Sequence, residues 1–234
     1  MVYQKQLYKH NTMKKALSLI ILFLFPICLF SQEKIDVDYS NIKEYIQKQP
    51  GGYAQLAERF EANDSLLTVN DYILIYYGYS FTSKYNGSIS TWQAVDSLVE
   101  EKRIEEAYEQ VKEYRKSNPV SLKLLIYAAN LASELQKEEE EIQSYVNKYV
   151  KLSSAILSSG DGTSEKTAFK VICVNDEYQI LYNVFNVQNL KQQSLVNNCD
   201  LMEFESSPYY QGTRIYFDIS RSLDFMEELF NSKK

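Results

Sequence analysis

The side chains best suited to chemistry in this sequence are carboxylates. The 234 residues include a single histidine, His10. Serine and cysteine hydrolases use an imidazole as their base, and nearly all zinc enzymes use one as a ligand. A pair of carboxyl groups, in contrast, can hydrolyse a glycosidic bond without histidine. The acids that could supply such a pair are Asp161, Glu165, Asp176, Glu203, Glu205 and Asp218.

Residues 1–31 have the pattern of a secretory signal. Lys14 and Lys15 precede the mostly apolar residues 16–30, and the small residue Ser31 follows where such signals are cleaved. A helix of that length covers about 22 Å, less than the roughly 30 Å hydrocarbon core of a bilayer. We therefore expect an exported protein that keeps no transmembrane span after cleavage.

Cleavage after Ser31 would change the chemistry of the chain. Met13 is a better start than Met1, because a long polar extension before a signal would be unusual, and either start leaves the mature chain without His10. Loss of the lysines would lower the basic count from 25 to 21 against 31 acids, a net charge of −10. The lysines lost are Lys5, Lys9, Lys14 and Lys15. Nucleic acid is not an expected partner, because phosphate binding needs a basic surface.

Two cysteines, Cys173 and Cys199, remain after the signal. They are too few for a zinc site made of cysteine alone. In an oxidising compartment they could form a disulfide, or they could remain thiols that pack as small apolar side chains on neighbouring strands. The sequence leaves both alternatives open.

Aromatic residues are densest between positions 76 and 92. The candidates for a binding surface are Tyr76, Tyr77, Tyr79, Phe81, Tyr85 and Trp92. Tyrosine offers a flat apolar ring with a polar tip, so exposed rings could stack on a sugar or a peptide. The same spacing is also typical of core packing on a helix, and the sequence favours that interpretation because tyrosine is common throughout the chain.

The segment Ser158–Phe169 separates two kinds of hydrophobic pattern, and we call it the connecting loop. We expect Gly160 to end a helix by taking positive φ, and Asp161-Gly162 to form a tight turn. Asp161, Thr163 and Glu165 alternate as oxygen ligands do in a calcium loop. The glycine and the terminal glutamate fall at the wrong places for that motif, so no metal site is predicted.

Residues 32–157 show apolar stripes at helical spacing. Stripes such as Ala107, Val111 and Tyr114 must be buried, which predicts antiparallel helices. Ala94 and Ala128 lie one 34-residue period apart, and this spacing predicts a degenerate tetratricopeptide-like region of one or two units. Arrays of that type bind peptides or proteins in the groove of their inner helices.

After the connecting loop, residues 170–234 have the pattern of a small mixed unit. We expect strands over 168–174, over an interrupted stretch 194–204, and over 214–219, with helices over 176–185 and 223–230. The unit would be marginal alone and should pack on the helices. The predicted fold class is therefore α+β, with N-terminal antiparallel helices followed by about three strands and two helices.

Four stretches occur in a definite order along the chain. They are YYGYSF (76–81) with Tyr85-Asn86, the connecting loop, VICVNDEYQIL (171–181) and QSLVNNCD (193–200). In this order they resemble an uncharacterised bacterial family, domain of unknown function 4919, over most of the chain after the signal. The resemblance implies an exported protein of a Gram-negative cell, helical and then mixed, and brings no activity or catalytic residue. Lys166 departs from the family pattern, which has proline or glutamate there.

We therefore expect a non-catalytic module of the periplasm or cell surface whose helical region docks an envelope protein or peptide. No motif implies a cofactor or a metal. One alternative is glycan binding by the aromatic cluster, which requires exposed, coplanar rings. The other is hydrolysis of an envelope glycan by two of the six carboxylates, which would have to lie about 5–9.5 Å apart in one cleft.

Overall fold

A computed structural model describes residues 34–87 and 92–231. The expected signal, residues 1–31, lies outside the described residues. The first part of the described chain is helical throughout. Its helices are α1 (Tyr39–Lys48), α2 (Pro50–Glu61), α3 (Val69–Tyr79), α4 (Trp92–Glu100), α5 (Ile104–Ser117), α6 (Leu122–Glu134) and α7 (Glu139–Leu157).

Local chemistry explains where these helices begin. Thr68 and Asp71 form a reciprocal capping box at the start of α3, which satisfies two backbone N–H groups that the helix itself cannot. Ser121 caps α6 by accepting from the Leu124 N–H. Three glutamates, Glu139–Glu141, fill the first turn of α7, where the helix dipole favours negative charge.

Helices α4 to α7 form two stacked hairpins. Helices α4 and α5 form the first hairpin, and helices α6 and α7 form the second. The first helices of the two, α4 and α6, are joined by a 2.6 Å hydrogen bond from the Tyr127 hydroxyl to the Asp96 carboxylate. The second helices are joined by the Tyr108 hydroxyl, which bonds to Glu141 and lies 3.1 Å from the Tyr145 hydroxyl. Side-chain hydrogen bonds thus join the first helix of one hairpin to the first helix of the other, and the second helix to the second.

The C-terminal part contains a four-stranded sheet in the order β1-β4-β3-β2. Strand β1 is parallel to β4, and the other neighbours are antiparallel. A π-helical turn, Ile180–Val184, extends the helix after β1. The elements are β1 (Phe169–Lys170), α8 (Val174–Gln179), β2 (Gln188–Val196), β3 (Cys199–Ser206), β4 (Arg214–Asp218) and α9 (Ser220–Asn231). The chain is therefore α+β, as predicted.

Two details of the predicted strands are wrong. The stretch expected as one interrupted strand is the hairpin β2–β3, because Asn197 takes φ 54° and turns the chain between Val196 and Cys199. Asparagine tolerates this left-handed conformation, so the apparent interruption is a turn. The strand expected over 168–174 pairs only at Phe169 and Lys170, after which the chain leaves the sheet as a buried extended segment.

The helices and the sheet belong to one compact unit that begins at Lys34. Helix α6 lies at its centre, with eight of its thirteen residues buried. In the described ranges, none of the helices combines the length and the apolar character needed to cross a membrane.

Candidate functional site

The four tyrosines of the predicted binding surface are buried. Tyr76 and Tyr77 are 0% exposed, Tyr79 is 3% exposed and Tyr85 is 6% exposed. Neighbouring rings meet edge to face, with centroids 4.9 Å apart for Tyr76 and Tyr77 and 5.8 Å apart for Tyr79 and Tyr85. Rings packed in this way cannot stack on a glycan, so the exposed-platform expectation is wrong for these residues. They are core side chains, the interpretation that the sequence favoured.

Their hydroxyl groups join the helical part to the segment that follows β1. Tyr77 donates to the Lys170 carbonyl at 2.9 Å, and Tyr85 donates to the Ile172 carbonyl at 2.5 Å. The Lys170 carbonyl lies at the end of β1, and the Ile172 carbonyl lies in the segment that follows the strand. The tyrosines thus satisfy buried backbone groups while their rings fill the core.

The two other aromatic candidates differ from this group. Phe81 is only half-buried, and the guanidinium of Arg221 lies 4.6 Å from the centre of its ring. Trp92 begins α4, and its side chain lies outside the described part of the chain. No common surface of exposed rings is therefore described.

The connecting loop is held by the Asp161 carboxylate. This group accepts from the Thr163 N–H at 2.9 Å, from the Thr163 hydroxyl at 2.7 Å and from the Thr167 hydroxyl at 2.6 Å, and it also bonds Lys34. Partial burial raises the pKa of Asp161, but the bonds from Lys34, Thr167 and Thr163 outweigh it and hold the pKa well below its usual range. The loop is closed by its own residues, and its Gly162 carbonyl accepts from the Tyr216 N–H of β4.

The role expected for Gly160 is wrong. Helix α7 ends at Leu157, and Gly160 is not among the glycines with positive φ, whereas Gly162 takes φ 68° at the predicted turn. A Cβ atom on Gly160 would meet the Thr167 carbonyl oxygen at 2.3 Å and the Ala168 carbonyl oxygen at 2.6 Å. Glycine is needed there because two stretches of backbone approach each other closely.

The two described cysteines are buried and are not joined by a disulfide. Cys173 precedes α8, and Cys199 begins β3, so only one of the pair lies on a strand. Burial, reinforced by Asp218 and Glu165, raises the pKa of the Cys199 thiol to about 11. Both residues therefore pack as small apolar side chains.

Each of the six carboxylates has a structural contact of its own. Asp161 closes the connecting loop, Glu165 accepts from Asn197, Asp176 accepts from Tyr76, Glu203 pairs with Arg214, Glu205 accepts from Asn189, and Asp218 accepts from the Ser220 N–H. Within residues 34–87 and 92–231, no three acidic, cysteine or histidine side chains are placed to hold a metal ion.

Asp176 is the acid among these six that lies deepest. It is 1% exposed, and its carboxylate accepts from the Tyr76 hydroxyl at 2.7 Å and from the Leu122 N–H, the first residue of α6, at 3.2 Å. Burial raises its pKa to about 7, although the bonds from Tyr76 and Leu122 act in the opposite direction. A cavity of about 10 Å³ lies beside it, lined in part by Ser121 and Cys173, and is no larger than one water molecule.

Two further buried acids, Glu177 and Asp200, were not singled out from the sequence. Glu177 is 0% exposed and Asp200 is 6% exposed. Asp176-Glu177 reads as an ordinary acidic first turn of a helix, and Asp200 is one polar residue in a strand. Their burial depends on how α8 meets the sheet, which local sequence does not record.

The exposed surface that stands out is one side of α9. Leu223, Met226 and Phe230 are 36%, 47% and 66% exposed. Successive helical residues are rotated by about 100°, so positions three and four apart lie on one stripe. We call these three residues the α9 face. Its opposite side carries Arg221 and Phe225, which contact Tyr85.

A family model described as Domain of unknown function (DUF4919) matches residues 40–228. The match covers most of the chain, so the chain belongs to this family. No curated protein and no solved structure matches the chain.

Proposed function

We propose that this member of the DUF4919 family is a non-catalytic interaction module of the bacterial cell envelope that docks a partner protein on the α9 face. The signal-like pattern of residues 1–31 supports export. The observation that carries the docking role is the exposed apolar stripe of Leu223, Met226 and Phe230. Contiguous exposed apolar surface is typical of an interaction site, because covering it removes apolar area from water.

The α9 face is held in place as a rigid surface. Arg221 is buried beneath the helix, where it donates to the Ser80 carbonyl at 2.7 Å and to the Ser80 hydroxyl at 3.2 Å. Its guanidinium also lies 4.6 Å from the Phe81 ring and 5.4 Å from the Tyr85 ring. An anchored helix presents its outer side chains with little loss of conformational freedom on binding, which favours affinity.

The charges beside the stripe favour a basic partner. Asp224 and Glu227 are exposed on α9 and follow the stripe on one flank, while the basic residue of the helix, Arg221, is buried. A second copy packed antiparallel on this face would bring the two acidic flanks together, which is unfavourable. The partner we propose is a protein segment with apolar side chains flanked by lysine or arginine.

The groove expected from a tetratricopeptide-like array is a weaker candidate. Helix α6 would line such a groove, but most of its residues are buried, and the C-terminal part of the same chain packs against its start. Asp176 of α8, for example, accepts from the Leu122 N–H. A partner would have to displace this part of the protein to enter, whereas α9 is open.

Photocrosslinking in intact cells tests the docking role. A photoreactive residue at Met226 should crosslink to one defined protein, and Phe230→Ser in the same chain should abolish the product. The matched control places the photoreactive residue at Glu105, which is exposed on α5 and far in sequence from the α9 face. Equal products from both positions, or a product from Met226 that survives Phe230→Ser, would refute docking at this face.

The identity of the crosslinked species tests the partner class separately. A protein with a basic and apolar segment at the crosslinked site agrees with the proposal. A lipid, or a second copy of this chain, would contradict the partner class even if the crosslink requires the α9 face.

A further inference from the structure

Glu177 is the least satisfied polar side chain in the described part of the protein. It is 0% exposed, and neither of its carboxyl oxygens has a hydrogen-bond partner there. Buried polar groups are normally bonded, and a buried charge without a partner is strongly unfavourable. The side chain therefore needs a bound species that neutralises it.

The groups that act on Glu177 come from two elements. Asp200 lies on β3, and Asp176 lies beside Glu177 on α8; both are acids and both are buried. Asp200 accepts from the Gln193 amide of β2 at 2.8 Å, and Tyr178 of α8 bonds the oxygen of the same amide. The neighbouring charges therefore repel an ionised Glu177, and Asp200 has a fixed position close to it.

A proton is the species that fits this arrangement. The three acids are not placed to hold a metal ion among the described residues, and the surroundings of Glu177 leave it fully buried. Burial first, and then the charges of Asp200 and Asp176, raise the pKa of Glu177 well above its usual range. Two carboxyl groups in one buried site commonly retain one proton between them.

We propose that Glu177 and Asp200 form a proton-binding site in which one shared proton holds α8 against strands β2 and β3. The carboxylic acid of Glu177 donates toward the carboxylate of Asp200. Loss of this proton to solvent leaves two buried carboxylates that repel each other, and α8 must move for water to reach them.

The site would make the packing of α8 between the sheet and the helices depend on pH. We call this packing contact the joint. Helix α8 also carries Asp176, which accepts from Tyr76 of α3 and from the Leu122 N–H of α6. A loosened α8 therefore weakens contacts with two helices as well as with the sheet. We expect the joint to be closed most firmly at acidic pH and to open increasingly as the pH rises from the ordinary glutamate value through the raised pKa of Glu177.

The first test is the carboxyl carbon resonance of Glu177, followed by NMR against pH in the full chain. The expected result is a titration of Glu177 well above the ordinary glutamate value, with the carbon signal of the protonated form below that titration. Titration near the ordinary glutamate value, about 4.3, would overturn the proposal. Asp200→Asn supplies an amide donor for an ionised Glu177, so the titration should move down toward that value.

The second test is hydrogen exchange of the α8 amides, corrected for the intrinsic effect of pH. Protection in the wild type should fall by up to about tenfold for each pH unit between the ordinary glutamate value, about 4.3, and the titration of Glu177, and should level off above that titration, because opening is coupled to release of one proton. Glu177→Gln keeps a neutral donor toward Asp200 and should reduce this dependence to the part that Asp176 contributes. The control Glu105→Gln should show the same pH dependence as the wild type.

The proposal would be overturned if the protection of the α8 amides in the wild type did not depend on pH, or if the slope of protection against pH were unchanged in Glu177→Gln. If Glu177→Gln does not fold, the Asp200→Asn titration decides.

Discussion

Asp176 joins three elements through a single carboxyl group, since it lies on α8 and accepts from α3 and from the start of α6. Asp176→Ala would leave the Tyr76 hydroxyl and the Leu122 N–H buried without an acceptor. We expect a loss of about 2–4 kcal/mol in the free energy of unfolding, measured by urea denaturation. Asp176→Asn retains an acceptor and should lose clearly less; an equal loss would show that the charge, not the acceptor, is what these partners need.

The ionisation of Asp176 gives a second prediction, on pH. Its folded pKa, about 7, lies above the unfolded value of 3.8, so the neutral acid is favoured by folding. Stability from this group is fully present below about pH 4 and is lost as pH rises through about 7, by roughly 4 kcal/mol at most. The slope of unfolding free energy against pH between these values should be smaller in Asp176→Asn than in the wild type. An identical slope would contradict the assignment.

Sequence predicts little of this residue-level detail. The tyrosines near position 76 are correctly interpreted as core residues by their helical spacing, but their hydroxyl partners lie about a hundred residues away. Glu177 and Asp200 also approach across the α8–sheet contact. No local pattern encodes such pairs, so only the folded chain brings them together.

At the scale of elements, the connecting loop depends on glycine at position 160. Gly160→Ala would push a Cβ atom into the Thr167 and Ala168 carbonyl oxygens, and neither can move without distorting the loop. We expect a loss of more than about 2 kcal/mol in thermal or urea unfolding. Gly51→Ala is the matched control, because a Cβ there meets nothing within 4 Å and alanine favours a helix. Similar losses in both variants would contradict the close-approach explanation.

The anchoring of α9 can be tested through Arg221. Arg221→Met keeps the apolar stem but removes the bonds to Ser80 and the stacking on Phe81 and Tyr85. Two buried partners are lost, so α9 amides should exchange at least about tenfold faster while those of α6 change little. Unchanged exchange in α9 would mean that the helix is held mainly by Phe225.

Elements with a strong period are predicted well, and those that depend on pairing are not. The apolar stripes of α5, α6 and α7 lie where the spacing places them. The segment 168–174 is apolar enough for a strand, yet only two of its residues pair with β4, and the hydroxyls of Tyr77 and Tyr85 bond the Lys170 and Ile172 carbonyls. An apolar pattern indicates that a stretch is buried, but it does not indicate which element of the fold makes hydrogen bonds to its backbone.

For the whole molecule, the tyrosine bonds across the joint predict one cooperative unfolding event. Tyr76, Tyr77 and Tyr85 connect the helical part to residues 170–176, so neither part keeps its core alone. Far-ultraviolet circular dichroism and tyrosine fluorescence should give coincident urea transitions. Two separated transitions would show that the helices and the sheet fold independently.

The fold class is predictable at this scale because helical and strand periods occupy different halves of the chain. The path of the C-terminal part across α6 is not predictable from the sequence. It is decided by contacts between residues far apart in the chain, such as Asp176 and Leu122. This path is also what redirects the proposed docking from the groove to the α9 face.

The most direct test of that docking is the affinity of the crosslinked partner for the purified chain, measured by calorimetry. Leu223→Ser combined with Phe230→Ser should weaken binding by at least about tenfold, because two central apolar contacts are lost. Higher salt should weaken wild-type binding if a basic segment meets Asp224 and Glu227. Unchanged affinity in the double variant, with its circular dichroism intact, would contradict the proposal that this protein works through α9.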